Sequence, residues 1–286
     1  MKKIITNIIF ISFLYPNGWE CPFQGIRGLG MGNAYTAICE DASGIYWNPG
    51  GICFQKNLFE IQICGTYYNP MYEMKWERWL EDTIIEIEKR SKFDVILPQF
   101  FLSYKLNRLA IGFGHYFEYL SGFKFLDRYS FIGIKAFTPS ISYRIKSKIG
   151  VGTKMEILYG KYENKDKWEE ESEEIQFKNY GRGWSFTWGI GLLYKPMDIL
   201  SIGVNLKGPF KFKSKEVKEI YTISSSDTTF EKYNIEGKCN FPIRVSFGIG
   251  FKPISNFVIG IDFEYSTWSS LDYFIKVREY EGGKRY

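Results

Sequence analysis

Apolar and polar residues alternate with period two along most of this 286-residue chain. From Phe241 onward the apolar set is Phe241, Ile243, Val245, Phe247, Ile249 and Phe251, and between them stand Pro242, Arg244, Ser246, Gly248, Gly250 and Lys252. Trp184, Phe186, Trp188, Ile190, Leu192 and Tyr194 alternate in the same way with Ser185, Thr187, Gly189 and Gly191. So do Ile149 to Tyr159 against Gly150, Gly152, Lys154 and Glu156, and Leu200 to Leu206 against Ser201, Gly203, Asn205 and Lys207. Weaker runs cover Phe59 to Tyr67, Ile96 to Leu106, Leu109 to Tyr119 and Pro139 to Ile145. Phe257, Ile259, Ile261, Phe263 and Tyr265 keep one phase as far as Val277, which reads as one long strand bent near Ser266 to Ser270. Successive side chains of a strand point to opposite faces, so these nine strands each carry one apolar face. The other face is Gly, Ser, Lys, Glu and Arg.

Strand length separates two architectures that share this alternation. Strands of a soluble sandwich hold about 5 to 6 residues, whereas the runs here hold roughly 10 to 12. At about 3.3 Å per residue and a tilt near 45°, such strands cover an apolar band of roughly 25 Å, the hydrocarbon thickness of an outer membrane. The predicted fold is all-β: an antiparallel transmembrane β-barrel over residues 55–286, apolar side toward lipid and polar side toward the lumen. Connections alternate between short turns, as at Asn107-Arg108 and Lys146 to Lys148, and long loops at 69–94, 120–137, 161–182 and 213–238. That asymmetry fits periplasmic turns and extracellular loops. Within 69–94, Trp76, Leu80, Ile84 and Ile87 fall on one stripe and predict an amphipathic helix. An odd strand number would leave an open edge in lipid, so the chain is expected to lack the last strands of its barrel.

Composition supports this reading and removes others. Aromatic residues make up 19% of the chain, as suits strands and a membrane interface. The net charge of +5 is mild and its Lys and Arg are scattered, which argues against nucleic acid as a partner. His115, the single histidine, stands in a strand run and reads as structural, so no His-based triad or metal site is expected, and no cofactor. Five cysteines, Cys21, Cys39, Cys53, Cys64 and Cys239, contain no CxxC pair and read as free thiols. Asp262 and Glu264 form a carboxylate pair, but their spacing of two only places both on the lumen face. The chain is not expected to be an enzyme. Met1 to Lys3 followed by IITNIIFISFLY has the form of a signal peptide, read as residues 1–20.

Between signal and first strand lies GIRGLGMGNAYTAICEDASGIYWNPGGI, Gly25 to Ile52, with too few large residues for a core of its own. No strand precedes Gly28, Gly30 and Gly32 and no βαβ pattern follows, so a dinucleotide-binding role is rejected. Glycines there let the backbone pass close to a barrel wall, and Asn48-Pro49-Gly50 reads as a turn into the first strand. This segment, together with GWSFTWGIGLLYKPMDILSIGVNLKGPFKFK and FPIRVSFGIGFKPISNFVIGIDFEYSTWSSLD, resembles the FadL/TodX family of outer-membrane transporters for hydrophobic compounds, to which PorV-like barrels are related. Gly50 stands where that family usually has Ala, and fewer strands are present than in the family's barrel.

The resemblance implies passive passage of fatty acids or other hydrophobic molecules across the bacterial outer membrane. Residues 21–54 would fold back as a plug, or hatch, inside the lumen, and cargo would leave sideways through the wall. By position, Gly28, Gly30, Met31, Gly32, Asn33, Asn48, Pro49 and Gly50 would belong to the hatch and its junction. An acidic head group would need a basic lumen residue, and Arg144, Lys154 and Arg244 are the candidates from strand phase. The competing reading of each is a wall salt bridge, for example with Glu156, Asp262 or Glu264. Expected partners are a fatty-acid-like hydrophobic molecule and outer-membrane lipid. The alternative function is PorV-like, a barrel that docks secreted proteins in a secretion system.

Overall fold

The computed structural model describes residues 20–21, 24–69, 73–80, 83–90, 94–125, 128–170, 173–224, 227–254, 257–270 and 273–285. Of the signal peptide expected over residues 1–20, all but Glu20 lies outside them. Two short helices, α1 (Ile26–Gly30) and α2 (Gly44–Trp47), and a 3-10 turn (Pro49–Phe54) precede the strands. The strands are β1 (Phe59–Tyr68), β2 (Glu73–Leu80), β3 (Thr83–Arg90), β4 (Val95–Leu106), β5 (Leu109–Phe125), β6 (Arg128–Ile145) and β7 (Ile149–Glu170). They continue with β8 (Glu173–Met197), β9 (Leu200–Lys207), β10 (Phe210–Ser224), β11 (Thr228–Phe241), β12 (Arg244–Ile254), β13 (Phe257–Ser266) and β14 (Tyr273–Arg285).

Twelve of these form one antiparallel sheet in the order β1-β4-β5-β6-β7-β8-β10-β11-β14, with β9, β12 and β13 continuing from the other end of β8. The nine runs read from alternation are all present. The count rises to fourteen for two reasons. First, β2 and β3 form a separate two-stranded antiparallel sheet where the amphipathic helix was expected. Trp76 stands opposite Ile87 and Ile84 opposite Trp79, and β-branched residues crowd β3. Second, three strands break at one level. Gly208 and Pro209 separate β9 from β10, Pro242 and Ile243 separate β11 from β12, and a 3-10 turn at Trp268–Ser270 precedes β14. Proline has no N–H for a ladder bond, so two of the breaks fall where the sequence removes a donor.

Where loops were expected at 120–137, 161–182 and 213–238, the described residues are almost all strand extensions. β7 and β8 pair without interruption from Ile149 and Tyr194 to Glu170 and Glu173. Alternating Lys and Glu suit a ladder projecting beyond the membrane, where both faces meet water. Within the membrane the predicted facing holds: Trp184, Phe186, Trp188 and Ile190 are exposed, while Thr187 between them is buried.

The sheet curls around an interior. Tyr119 of β5 packs on Phe241 of β11 at 4.7 Å between ring centroids, although β6, β7, β8 and β10 lie between those strands in the sheet. The core holds Tyr35, Ile45, Tyr46, Trp47 and Ile52 of the N-terminal segment against Phe101, Tyr116, Ile134 and Leu158 of the wall. Among the described residues, β1 pairs only with β4, β13 only with β12 and β14 only with β11.

Candidate functional site

The N-terminal segment is seated on the inner face of the sheet. Glycines of the wall make the seat. A Cβ on Gly191 would strike the Asn48 side chain and lie 2.7 Å from Pro49 Cδ, and a Cβ on Gly50 would lie 2.8 Å from the carbonyl oxygens of both Gly150 and Gly191. The lumen glycines that looked bare in sequence are therefore places where backbone meets backbone.

Specific bonds hold the segment there. Asn48 Nδ2 donates to the Thr36 carbonyl within the segment and to the Leu192 carbonyl of β8, both at 2.9 Å. Its Oδ1 accepts from Gly50 N at 3.0 Å. Asn48-Pro49-Gly50 is thus the buried N-cap and first residues of a 3-10 turn, not a turn leading directly into β1. Asp262 of β13 accepts from Tyr35 N and Thr36 N at 2.9 and 2.7 Å. Gln99 of β4 accepts from Gly25 N at 2.8 Å, and Glu60 of β1 from Ala42 N at 3.0 Å. Inside the segment, the Tyr35 hydroxyl donates to Asp41 at 2.7 Å, and burial with that carboxylate pushes the phenol above its ordinary range.

The first cluster of expected hatch residues is placed less uniformly. Gly28 is buried under the Trp47 indole, and Met31 flanks the core. Gly32 and Asn33 both have positive φ, 62° and 71°, and turn the chain after α1. Gly30 and Gly32 are exposed, with nothing within 4 Å of where a Cβ would stand, so they make no wall contact.

Beside this segment lies a buried row of charge. Lys154 of β7, Gly189 of β8, Lys207 of β9 and Arg244 of β12 are direct cross-strand neighbours. Three cations in one row repel, and carboxylates around them compensate. Glu156 forms ion pairs with Lys154 at 2.9 Å and with Lys207 at 2.6 Å. Glu118 pairs with Lys207 and, at 2.8 Å, with Arg244. Arg244 further faces Glu20 at 3.9 Å and Glu264 at 3.8 Å. Tyr116 donates to Glu156 at 3.0 Å, and Lys154 donates to the Tyr46 carbonyl at 2.7 Å.

Two of the three head-group candidates, Lys154 and Arg244, therefore stand in one network and are committed to protein carboxylates. Arg144 stands apart, half-buried, with its guanidinium 5.7 Å from the centre of the Phe54 ring. The head-group candidates leave out Glu118, Lys207 and Glu20, although strand phase places Lys207 on the inner face with Ser201, Gly203 and Asn205. A bulge at Glu118 turns both it and Tyr119 inward, and no sequence signal marks it. His115 stacks on Phe137 at 4.7 Å and meets the Ala136 carbonyl at 3.1 Å.

Next to the row, at the level of the strand breaks, Phe210 and Phe241 stack at 4.4 Å with Tyr119 against both and Trp268 edge-on to Tyr119. Gly208 N donates to the Trp188 carbonyl and Thr267 N to the Ile243 carbonyl, so the broken edges keep some partners.

An antiparallel wall apolar on its outer side, with a bonded segment across its inner face, is the architecture of an outer-membrane barrel with a filled lumen. The family comparison agrees with that class. Residues 12–284 match the model of the outer membrane protein transport protein family (OMPP1/FadL/TodX), and the chain belongs to this family. A search of curated protein sequences finds no match. Among solved structures, the fold is similar to a Pseudomonas aeruginosa FadL homologue at 13% identity and TM-score 0.67, covering 89% of this chain and 71% of that one. It is similar to the CymD monoaromatic hydrocarbon channel at 13% identity and TM-score 0.68, with 90% and 72% covered. The Ralstonia pickettii toluene transporter TbuX aligns at 12% identity and TM-score 0.64, with 86% and 73% covered.

Proposed function

We propose that this chain passes small, uncharged hydrophobic molecules across the outer membrane, with residues 24–54 acting as the hatch. The observation that carries the choice of cargo is the buried charge row. Lys154, Lys207 and Arg244 already face Glu118, Glu156, Glu20 and Glu264, so a fatty-acid carboxylate arriving there would compete with bound carboxylates. A neutral hydrophobe meets no such competition, and the aromatic cluster of Tyr119, Phe210, Phe241 and Trp268 offers it apolar contact. Two solved structures similar in fold are a monoaromatic hydrocarbon channel and a toluene transporter, which supports cargo of this size. Release sideways would use the gap between Gly208-Pro209 and Pro242-Ile243, where neighbouring strands leave the ladder.

Native mass spectrometry of the protein, extracted gently from its own membrane, tests the reading. A neutral hydrophobe leaving with the protein is the expected result. A fatty acid would keep the transport role and overturn the preference for neutral cargo. A bound protein in its place would move the function to docking of secreted proteins.

A further inference from the structure

The lipid-facing side of the sheet carries a second charged array, at the upper edge of the apolar band. Along β8 the band runs from Tyr194 to Trp184, a span of about 33 Å, or roughly 23 Å at a 45° tilt. At its top, Tyr159, Trp184, Lys213, Lys238 and Phe274 are direct neighbours on β7, β8, β10, β11 and β14. Two residues further along each strand, Lys161, Arg182, Lys215, Glu236 and Lys276 form the next row. Trp184 is 61% exposed, and Lys161, Arg182, Lys213, Lys215 and Lys276 are all exposed. A groove of about 1330 Å³ runs over this face, lined by residues that include Tyr159, Arg182, Trp184, Lys213 and Lys215.

Like charges directly opposite on neighbouring strands oppose pairing, and they repel more strongly beside a low-dielectric phase than in water. The lumen row solves that problem with carboxylates. The outer rows are compensated only in part: Glu163 pairs with Lys161 and Lys165, and Glu236, directly opposite Lys215 and Lys276, pairs with Arg278 at 2.6 Å. Among the described residues, Arg182, Lys213 and Lys215 form no ion pair within 4.0 Å. An anion from outside the chain would complete the compensation. The rows lie toward the end with long hairpins, opposite the short turns, and outer-membrane barrels turn that end to the cell exterior.

We propose that these rows bind the phosphates of a phosphorylated glycolipid of the outer leaflet, with its acyl chains along Trp184, Phe186 and Trp188. Clustered Lys and Arg at head-group depth are the chemistry that holds anionic lipid, and Trp and Tyr anchor at the same depth. The proposal is independent of the cargo, because it uses only the outer face.

The test uses the full chain purified in detergent and titrated with diphosphorylated lipid A, monitored by native mass spectrometry. The variant Arg182→Gln/Lys213→Gln/Lys215→Gln is compared with Arg108→Gln/Lys146→Gln/Lys148→Gln, which removes equal charge at the opposite rim. The first should bind on the order of a hundredfold more weakly than wild type, and the second should bind as wild type. Equal weakening of both would make the effect one of net charge and overturn the site. Protection by inorganic phosphate alone, or tighter binding of cardiolipin vesicles than of lipid A, would overturn the glycolipid assignment. If the triple variant does not assemble, Lys213→Gln and Lys215→Gln singly should each weaken binding severalfold; unchanged binding in both would refute the proposal.

Discussion

Asn48 satisfies two carbonyls and one amide at a fully buried position, which no other side chain of its size does with the same atoms. Asn48→Ala leaves those groups without partners at a cost of about 1–3 kcal/mol. Hydrogen exchange of amides 36–50 should rise by at least tenfold while strand amides stay protected. Lys207 joins Glu118 to Glu156, and Lys207→Met leaves buried carboxylate charge in excess, for a loss of about 3–5 kcal/mol in barrel stability. Urea unfolding in lipid, followed by tryptophan fluorescence, reads that loss. Adding Glu118→Gln to Lys207→Met should recover part of it, since the pair then removes charge of both signs. The phase of β7, β9 and β12 made Lys154, Lys207 and Arg244 legible as inner residues. Their partners were not legible, because the register that brings Glu118 from β5 across to Arg244 on β12 is set by curvature, not by local pattern.

Among the strands, alternation wrote the lipid-facing surface directly into the sequence. Ile190 is half exposed in the middle of the β8 band, and Ile190→Arg should cost about 2–4 kcal/mol in a bilayer. The same unfolding titration measures it, and a loss below 0.5 kcal/mol, a threshold set at about the size of an ordinary surface substitution, would argue against burial of that face in lipid. The strand breaks behave differently. Pro209→Val with Pro242→Val restores two ladder donors, and uptake of a radiolabelled neutral hydrophobe should fall while assembly is retained. Undiminished uptake would remove the gap from the exit route. The β2-β3 pair shows how short runs mislead: of the four apolar residues on a helical stripe in 69–94, only Trp76 and Ile87 stand opposite each other, a register that no local pattern announces.

Taken together, the N-terminal segment and the sheet are one folding problem. The segment has too little apolar bulk to bury on itself, and the wall leaves glycine-lined space that only backbone fills. Deletion of residues 25–52 should therefore raise single-channel conductance in planar bilayers and lower the unfolding midpoint. Unchanged conductance and unchanged uptake would mean that the segment does not gate the lumen. Migration in detergent gels should depend on heating, as expected for a barrel that resists detergent until boiled.

The direction of side chains along the nine alternating runs could be read from the order of residues, apart from the bulge at Glu118, because a period of two is fixed by backbone geometry. The bend near Ser266 to Ser270 was also legible there, whereas alternation carries Pro242 inside a strand run, and the family resemblance pointed to a transporter. Three things emerged only when the strands were assembled: which inner charges meet, why wall glycines at 150 and 191 face Gly50 and Asn48, and that the outer cations stand in adjacent rows. Those facts depend on register and curvature between strands far apart in the chain, and a contact between distant strands leaves no periodic trace in either one.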